Sequence, residues 1–394
     1  MKNKVDVLIL TATFGSGHIS VAQAIKEHIS TIEGNLNIET VDMFRLMNPK
    51  LYKSLYKGYE VLISKNSRLY NYFYYKKNYK EYSQVDDIVD DIIYNLYLPK
   101  ISSYISSIDP KVIISTFPVC SGFISKYKEK YHSTIPLVTC ITDVVHSWEW
   151  IHPSTDVYFV ANMEIKEELV RKGIGEEKIY PTGIPVRKQF FNKQENSQLL
   201  NSLNISDRDF VILIMGGGMG ILPEEKELYV WLNELKDTKT IILTGKNIEL
   251  YNTLKKYKNL NNIIPIEYTE NVSEYMKISD ILVSKSGGVT LYEAITSHLP
   301  MIVFNPSLGQ EIENSKFIVD KGLGSIANDI YELKQELSRI LNDKNYRNKL
   351  YVSTINASKY VDMKMLADII IDLYYLNKRQ TYFTPGKKKY LKIN

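Results

Sequence analysis

Short apolar runs separated mostly by stretches of helical pattern punctuate the chain: 5–10 (VDVLIL), 112–115 (VIIS), 136–141 (PLVTCI), 157–160 (VYFV), 210–215 (FVILIM), 240–244 (TIILT), 280–284 (DILVS) and 300–304 (PMIVF). Runs this short and this continuously apolar suit strands buried on both faces, and alternation with helices suits parallel pairing. The predicted fold class is α/β with doubly wound sheets. The alternation breaks once, over about 188–208, which is polar and strandless. Directly after it a second glycine-rich strand end, with Gly216, Gly217 and Gly218, opens a new series. A length of 394 residues suits two domains. The expected organisation is a Rossmann-like domain over 1–187, a linker over 188–205, a second Rossmann-like domain over 206–365, and a helix with a basic tail over 366–394.

Composition excludes several classes. The net charge of +4 gives the whole chain no nucleic-acid-binding character. Cys120 and Cys140 lie in apolar stretches without metal-ligand spacing, so they read as buried, reduced thiols of a cytoplasmic protein. The N-terminus enters a strand directly, without a signal core. No run of about 18 apolar residues is present, so any membrane contact is made from the surface.

Three motifs carry chemistry. The first is Gly15-Ser16-Gly17-His18, a glycine turn between a strand and a helix. Glycines permit the tight turn, and the helix N-terminus offers free N–H groups and a positive dipole end. A triphosphate-binding loop would place a lysine where His18 stands. An imidazole is half-titrated near neutrality and can take a proton from a hydroxyl, whereas a lysine would stay protonated. The second is Ser284–Ala294, where Ser286, Gly287 and Gly288 let phosphates approach backbone amides and Thr290 adds a hydroxyl. Glu293 falls about two turns in from the strand end, where a carboxylate can accept both ribose hydroxyls. The third is Asn305–Asn314, whose Gln310, Glu311 and Asn314 are the planar partners that sugar hydroxyls need. Each motif follows a strand, and ligands of open α/β sheets bind beyond the carboxyl ends of strands. Together they describe a nucleotide-sugar site. Asp207-Arg208-Asp209 spells a metal-binding DxD but reads as a turn.

Residues 49–82 alternate tyrosine and lysine with few acids. Tyr70, Tyr72, Phe73, Tyr74 and Tyr75 supply interfacial rings; Lys50, Lys53, Lys57, Lys76 and Lys77 supply charge. Such a segment suits an anionic membrane surface. Lys387, Lys388, Lys389 and Lys392 add a basic tail.

The segments ILTATFGSGH, TGIPVR (182–187), SKSGGVTLYEA and NPSLGQEIEN resemble glycosyltransferases of the two-Rossmann-domain GT-B fold. More narrowly, they resemble the monogalactosyldiacylglycerol synthase and processive diacylglycerol β-glucosyltransferase group; the segment from Thr142 and Asp143 through His146 to Trp150 is similar to the same group. The resemblance implies an inverting, metal-independent transfer of a hexose from a UDP-sugar, UDP-glucose before UDP-galactose, to diacylglycerol at the cytoplasmic face of a membrane, with no resident cofactor. It implies that Glu293 holds the ribose, that Gln310 and Glu311 read the hexose with Asn314 nearby, and that Ser286, Gly287 and Gly288 meet the diphosphate. Arg187 would neutralise phosphate charge, Tyr268 and Thr269 would hold uracil, and Gly216, Gly217 and Gly218 would flank the cleft. Gly17, with Trp150, falls to the acceptor side. His18 would be the base, with Asp143 as the rival base or as its orienting partner. The same donor chemistry on a polyprenyl or soluble acceptor, a nucleotide-sugar epimerase, and a non-catalytic UDP-sugar sensor remain open.

Overall fold

The computed structural model describes residues 4–382 apart from 66–67, 69–70, 73–74, 76–83, 145–146, 193–196, 219, 221, 224 and 258–259. Tyr70, Phe73, Tyr74, Lys76, Lys77, His146 and the four tail lysines lie outside the described residues.

Among the described residues the strands form two parallel sheets of six. The first holds β1 (Val7–Thr11), β2 (Ile38–Asp42), β3 (Val112–Ser115), β4 (Leu137–Cys140), β5 (Val157–Val160) and β6 (Ile179–Pro181), in the order β2-β1-β3-β4-β5-β6. The second holds β7 (Phe210–Met215), β8 (Thr238–Leu243), β9 (Ile263–Ile266), β10 (Ile281–Ser284), β11 (Met301–Phe304) and β12 (Gly324–Ala327), in the order β12-β11-β10-β7-β8-β9. The eight apolar runs are the eight interior strands. β2, β6, β9 and β12, which carry no such run, are the four sheet edges. An edge strand pairs on one side only and is partly exposed, so its sequence need not be continuously apolar. Two of these edges even tolerate proline, Pro181 and Pro265, whose missing N–H is harmless there.

Five helices matter for the site: α1 (Gly17–Ile32) after β1, α2 (Tyr52–Lys65), α3 (Gly288–Thr296) after β10, α4 (Gly309–Asp320) after β11, and α5 (Met363–Tyr382). α5 leaves the second domain and packs on α1 of the first. Leu366, Ala367 and Ile370 are fully buried there, the two large side chains contributing about 1.5–3 kcal/mol each. Tyr374 Oη donates to Asp6 Oδ1 at 3.0 Å, and Asn377 Nδ2 donates to the Lys111 carbonyl at 2.8 Å. One apolar core therefore runs through both domains, from Val21 and Ile25 on α1 to Leu291 and Ile295 on α3.

Tyr292 and Gly288, both on α3, lie at the seam between the domains. Tyr292 on α3 donates its buried hydroxyl to the Ala161 carbonyl. Its ring lies 3.0 Å from where a Cβ on Gly183 would stand, and Gly183 has φ +82°, so a side chain is excluded there on both counts. A Cβ on Gly288 would meet the Thr142 carbonyl at 2.2 Å, so the start of α3 lies directly against the loop after β4.

Candidate active site at the facing switch points

In each sheet the strand order reverses beside the first strand, between β1 and β3 and between β7 and β10. The crevices at such points are where α/β sheets take ligands. His18 follows β1, and its partner Thr116 follows β3. Gly216, Gly217 and Gly218 follow β7, and Ser286, Gly287 and Gly288 follow β10. The two helix N-termini meet: a Cβ on Gly17 would lie 3.3 Å from Val289 Cγ2.

His18 is half-buried, and burial pushes its pKa down to about 4, against the pull of a bond to the Thr116 carbonyl. The ring is therefore neutral at physiological pH. Nδ1 lies 2.8 Å from that carbonyl. A carbonyl only accepts, so Nδ1 carries the proton and Nε2 carries the lone pair. Thr142 Oγ1, at 3.2 Å from Nδ1, is a second partner on the same side. The Phe117 ring meets the imidazole edge-on at 4.9 Å. The orienting role open to Asp143 thus belongs to the Thr116 carbonyl. Asp143 turns instead to Asn314, whose Nδ2 is 3.5 Å from its Oδ1, and burial raises its carboxyl to about 6. Trp150, expected on the acceptor side, is 2% exposed, with its ring centroid 6.5 Å from that of His18.

Across the seam, Glu293 is 7% exposed, and burial raises its carboxyl to about 7 while the Arg187 charge opposes the rise. Arg187 Nε is buried with no hydrogen-bond partner, as a donor held for a ligand would be. Thr290 is half-buried on the same helix, with Oγ1 3.8 Å from a Cβ placed on Gly287. Ser286 is fully buried and its hydroxyl donates to the Glu311 carbonyl at 2.6 Å.

α4 departs further from expectation. Glu311 Oε2 accepts from the N–H groups of Ser307 at 3.3 Å and Leu308 at 3.4 Å, and Oε1 lies 3.7 Å from Lys285 Nζ. Its carboxylate caps its own helix. Asn314 is fully buried and bridges the domains. It donates to the Ser286 carbonyl at 2.7 Å and accepts from Val144 N at 3.3 Å. Gln310, expected with Glu311 to read the hexose, is half-buried in the first turn of α4.

Tyr268 is 56% exposed and lines, with Thr244, Gly245, Lys246, Ile248 and Glu267, a cavity of about 310 Å³. The Lys246 N–H donates to the Gly218 carbonyl at 3.2 Å, joining this cavity to the glycine loop. Thr269 Oγ1 accepts from Asn271 N at 3.1 Å and so supports the turn. Asp207 and Asp209 are indeed in a turn: Asp209 Oδ2 accepts from Ser206 N at 2.7 Å, ahead of β7.

α2 joins the basic, tyrosine-rich segment to the His18 loop. Leu51, Leu55 and Val61 are about half exposed at 54%, 50% and 47%, and Tyr72 is 63% exposed. Tyr56 faces inward, donating to Asp42 Oδ1 at 2.7 Å and accepting from Thr13 N at 3.0 Å. Phe14, one residue before the glycine turn, meets the rings of Phe44, Tyr56, Tyr59 and Phe117 at 4.9, 4.7, 5.0 and 5.3 Å. Thr116, Tyr56, Asp42 and Lys285 escaped the sequence reading because no local pattern marks a residue whose partner is distant in the chain.

Residues 18–186 match the monogalactosyldiacylglycerol (MGDG) synthase family, and residues 211–365 match the glycosyltransferase family 28 C-terminal domain. The processive diacylglycerol beta-glucosyltransferase of Staphylococcus saprophyticus is 30% identical over 326 residues, 82% of this chain and 81% of the relative. The Bacillus licheniformis protein of the same name is 28% identical over 390 residues, 97% of this chain and 99% of the relative. Among solved structures, MurG of Acinetobacter baumannii superposes with a TM-score of 0.58 at 12% identity, covering 94% of this chain and 99% of that one. The UDP complex of S. aureus MnaA gives 0.61 at 13% identity, covering 95% and 97%. These likenesses establish the GT-B fold, two Rossmann-like domains facing across a cleft. The chain belongs to the family of monogalactosyldiacylglycerol synthases and processive diacylglycerol β-glucosyltransferases.

Proposed function

We propose that this chain is an inverting hexosyltransferase that moves glucose from UDP-glucose to diacylglycerol at the cytoplasmic face of a membrane. The observation that carries the reading is the neutral, carbonyl-oriented His18 where two helix N-termini meet. Relatives named as processive diacylglycerol β-glucosyltransferases support the acceptor and the sugar. In this reading His18 Nε2 takes the proton of the acceptor hydroxyl. The hydroxyl oxygen attacks the anomeric carbon as the bond to the UDP oxygen breaks, so an α-linked donor yields a β-glycoside and UDP leaves. The α3 N-terminus and Arg187 meet the charge on the leaving diphosphate, which is the work a metal ion would otherwise do. Glu293 accepts the ribose hydroxyls, Gln310 contacts the hexose, and the Tyr268 cavity takes uracil.

Association with the membrane is peripheral in this reading: no helix among the described residues is long and apolar enough to cross one. Exposed Leu51, just before α2, and Leu55 and Val61 on it, interleaved with exposed Lys53 and Lys57, suit the interface of an anionic bilayer. Each basic residue near such a surface contributes about 1 kcal/mol.

The test is turnover by the purified chain with diacylglycerol in anionic vesicles, EDTA, and labelled UDP-glucose or UDP-galactose. Labelled glucolipid is the expected product. Labelled galactolipid would change the donor, and loss of turnover in EDTA would overturn metal independence. UDP binding without any lipid product would move the acceptor to a polyprenyl or soluble molecule, or make the chain a sensor.

A further inference from the structure

Helix α4 begins with a capping problem. Its N-cap position is Leu308, whose side chain has no acceptor. The first N–H groups of a helix have no partner inside it. Leu308 and Gly309 are buried, so those groups must find partners within the protein. Glu311 serves Ser307 and Leu308, as described. The Gly309 N–H goes to the other domain: it donates to Asn71 Oδ1 at 2.8 Å, and Asn71 Nδ2 donates to the Ser307 carbonyl at 2.8 Å. One amide side chain thus makes two bonds to a single turn, from 236 and 238 residues away. The turn presents one donor and one acceptor together, and an asparagine amide answers both. A carboxylate could answer only the donor.

We propose that Asn71 is a positioning residue of the donor-hexose site, capping α4 across the mouth of the cleft and so fixing Gln310 in its first turn. The inference rests on the reading of α4 as the hexose-recognising helix. Asn71 lies on the acceptor side and its partners on the donor side, so the contact forms only when the two domains face each other as they do here. The hexose is then read by a helix that the acceptor domain holds in place. UDP, which this role does not involve, should be indifferent to Asn71.

The test is steady-state transfer to diacylglycerol vesicles by the full chain, with UDP-glucose varied and UDP as competitive inhibitor. Asn71→Ala should raise the donor KM about 2–30-fold, the range for a lost N-cap, and leave the UDP inhibition constant unchanged. Amide exchange at Gly309 should quicken in the variant. Wild-type transfer with an unaltered KM in Asn71→Ala overturns this role alone, and so does an equal loss of affinity for UDP, which marks general loosening of the cleft. No glucosyl transfer by the wild-type chain overturns the function reading and this role with it.

Discussion

Glu293→Gln should make this protein more stable and worse at binding its donor. The carboxyl titrates near 4.5 when unfolded and at about 7 when folded, because it is buried. Between those values the unfolded chain has lost a proton that the folded chain keeps. Stability therefore falls as pH rises through that window and is level above it. At 1.36 kcal/mol for each tenfold change, the full loss is about 3 kcal/mol. Glutamine has the same shape and no charge, so the variant escapes this loss. Urea denaturation should find the two proteins equal near pH 4.5 and the variant ahead by about 3 kcal/mol near pH 8. Donor binding should move the other way. Ribose hydroxyls donate to a carboxylate, so wild-type affinity for UDP should weaken by up to tenfold for each pH unit below about 7. Calorimetry in buffers of different ionisation heat should register release of about half a proton near neutrality. A Glu293→Gln chain no more stable than wild type near pH 8, together with UDP affinity that is flat across neutrality, would refute the reasoning.

His18→Ala should lower kcat by about 10²–10⁴, and wild-type kcat should hold level down through pH 6, because the ring titrates at about 4. An acid limb near 6 that disappears in Asp143→Asn would assign the base to Asp143, whose carboxyl titrates there. Gly288→Ala drives a Cβ into the Thr142 carbonyl, so the seam must open; thermal denaturation should show a loss of about 1–3 kcal/mol, and turnover should fall with it. Tyr292→Phe leaves the buried Ala161 carbonyl unpaired, at a cost of about 1–3 kcal/mol in urea denaturation; an unchanged midpoint would remove this bond from the account of the seam.

What the sequence determined by itself was set by short-range pattern. An interior parallel strand is buried on both faces, so VLILT or FVILIM announces itself, and the glycines after it announce the turn into a helix. Eight strands, the α/β class and the three strand-end motifs were legible for that reason. The four edge strands were not, because half-exposed positions admit Glu39, Pro181, Pro265 or Ser325 without breaking the ladder. Tertiary structure alone decided which partners the polar side chains of these motifs have. Residue type suggested that Ser286, Glu311 and Asn314 meet the ligand. The fold adds what residue type could not show, that these side chains already engage a carbonyl, a helix start and the opposite domain. The same long-range geometry gave His18 its proton on Nδ1, through a carbonyl 98 residues away, and left the lone pair on Nε2. Sequence could nominate an imidazole for that position. Only the fold, by bringing β1 beside β3, could determine which of its nitrogens is able to accept a proton.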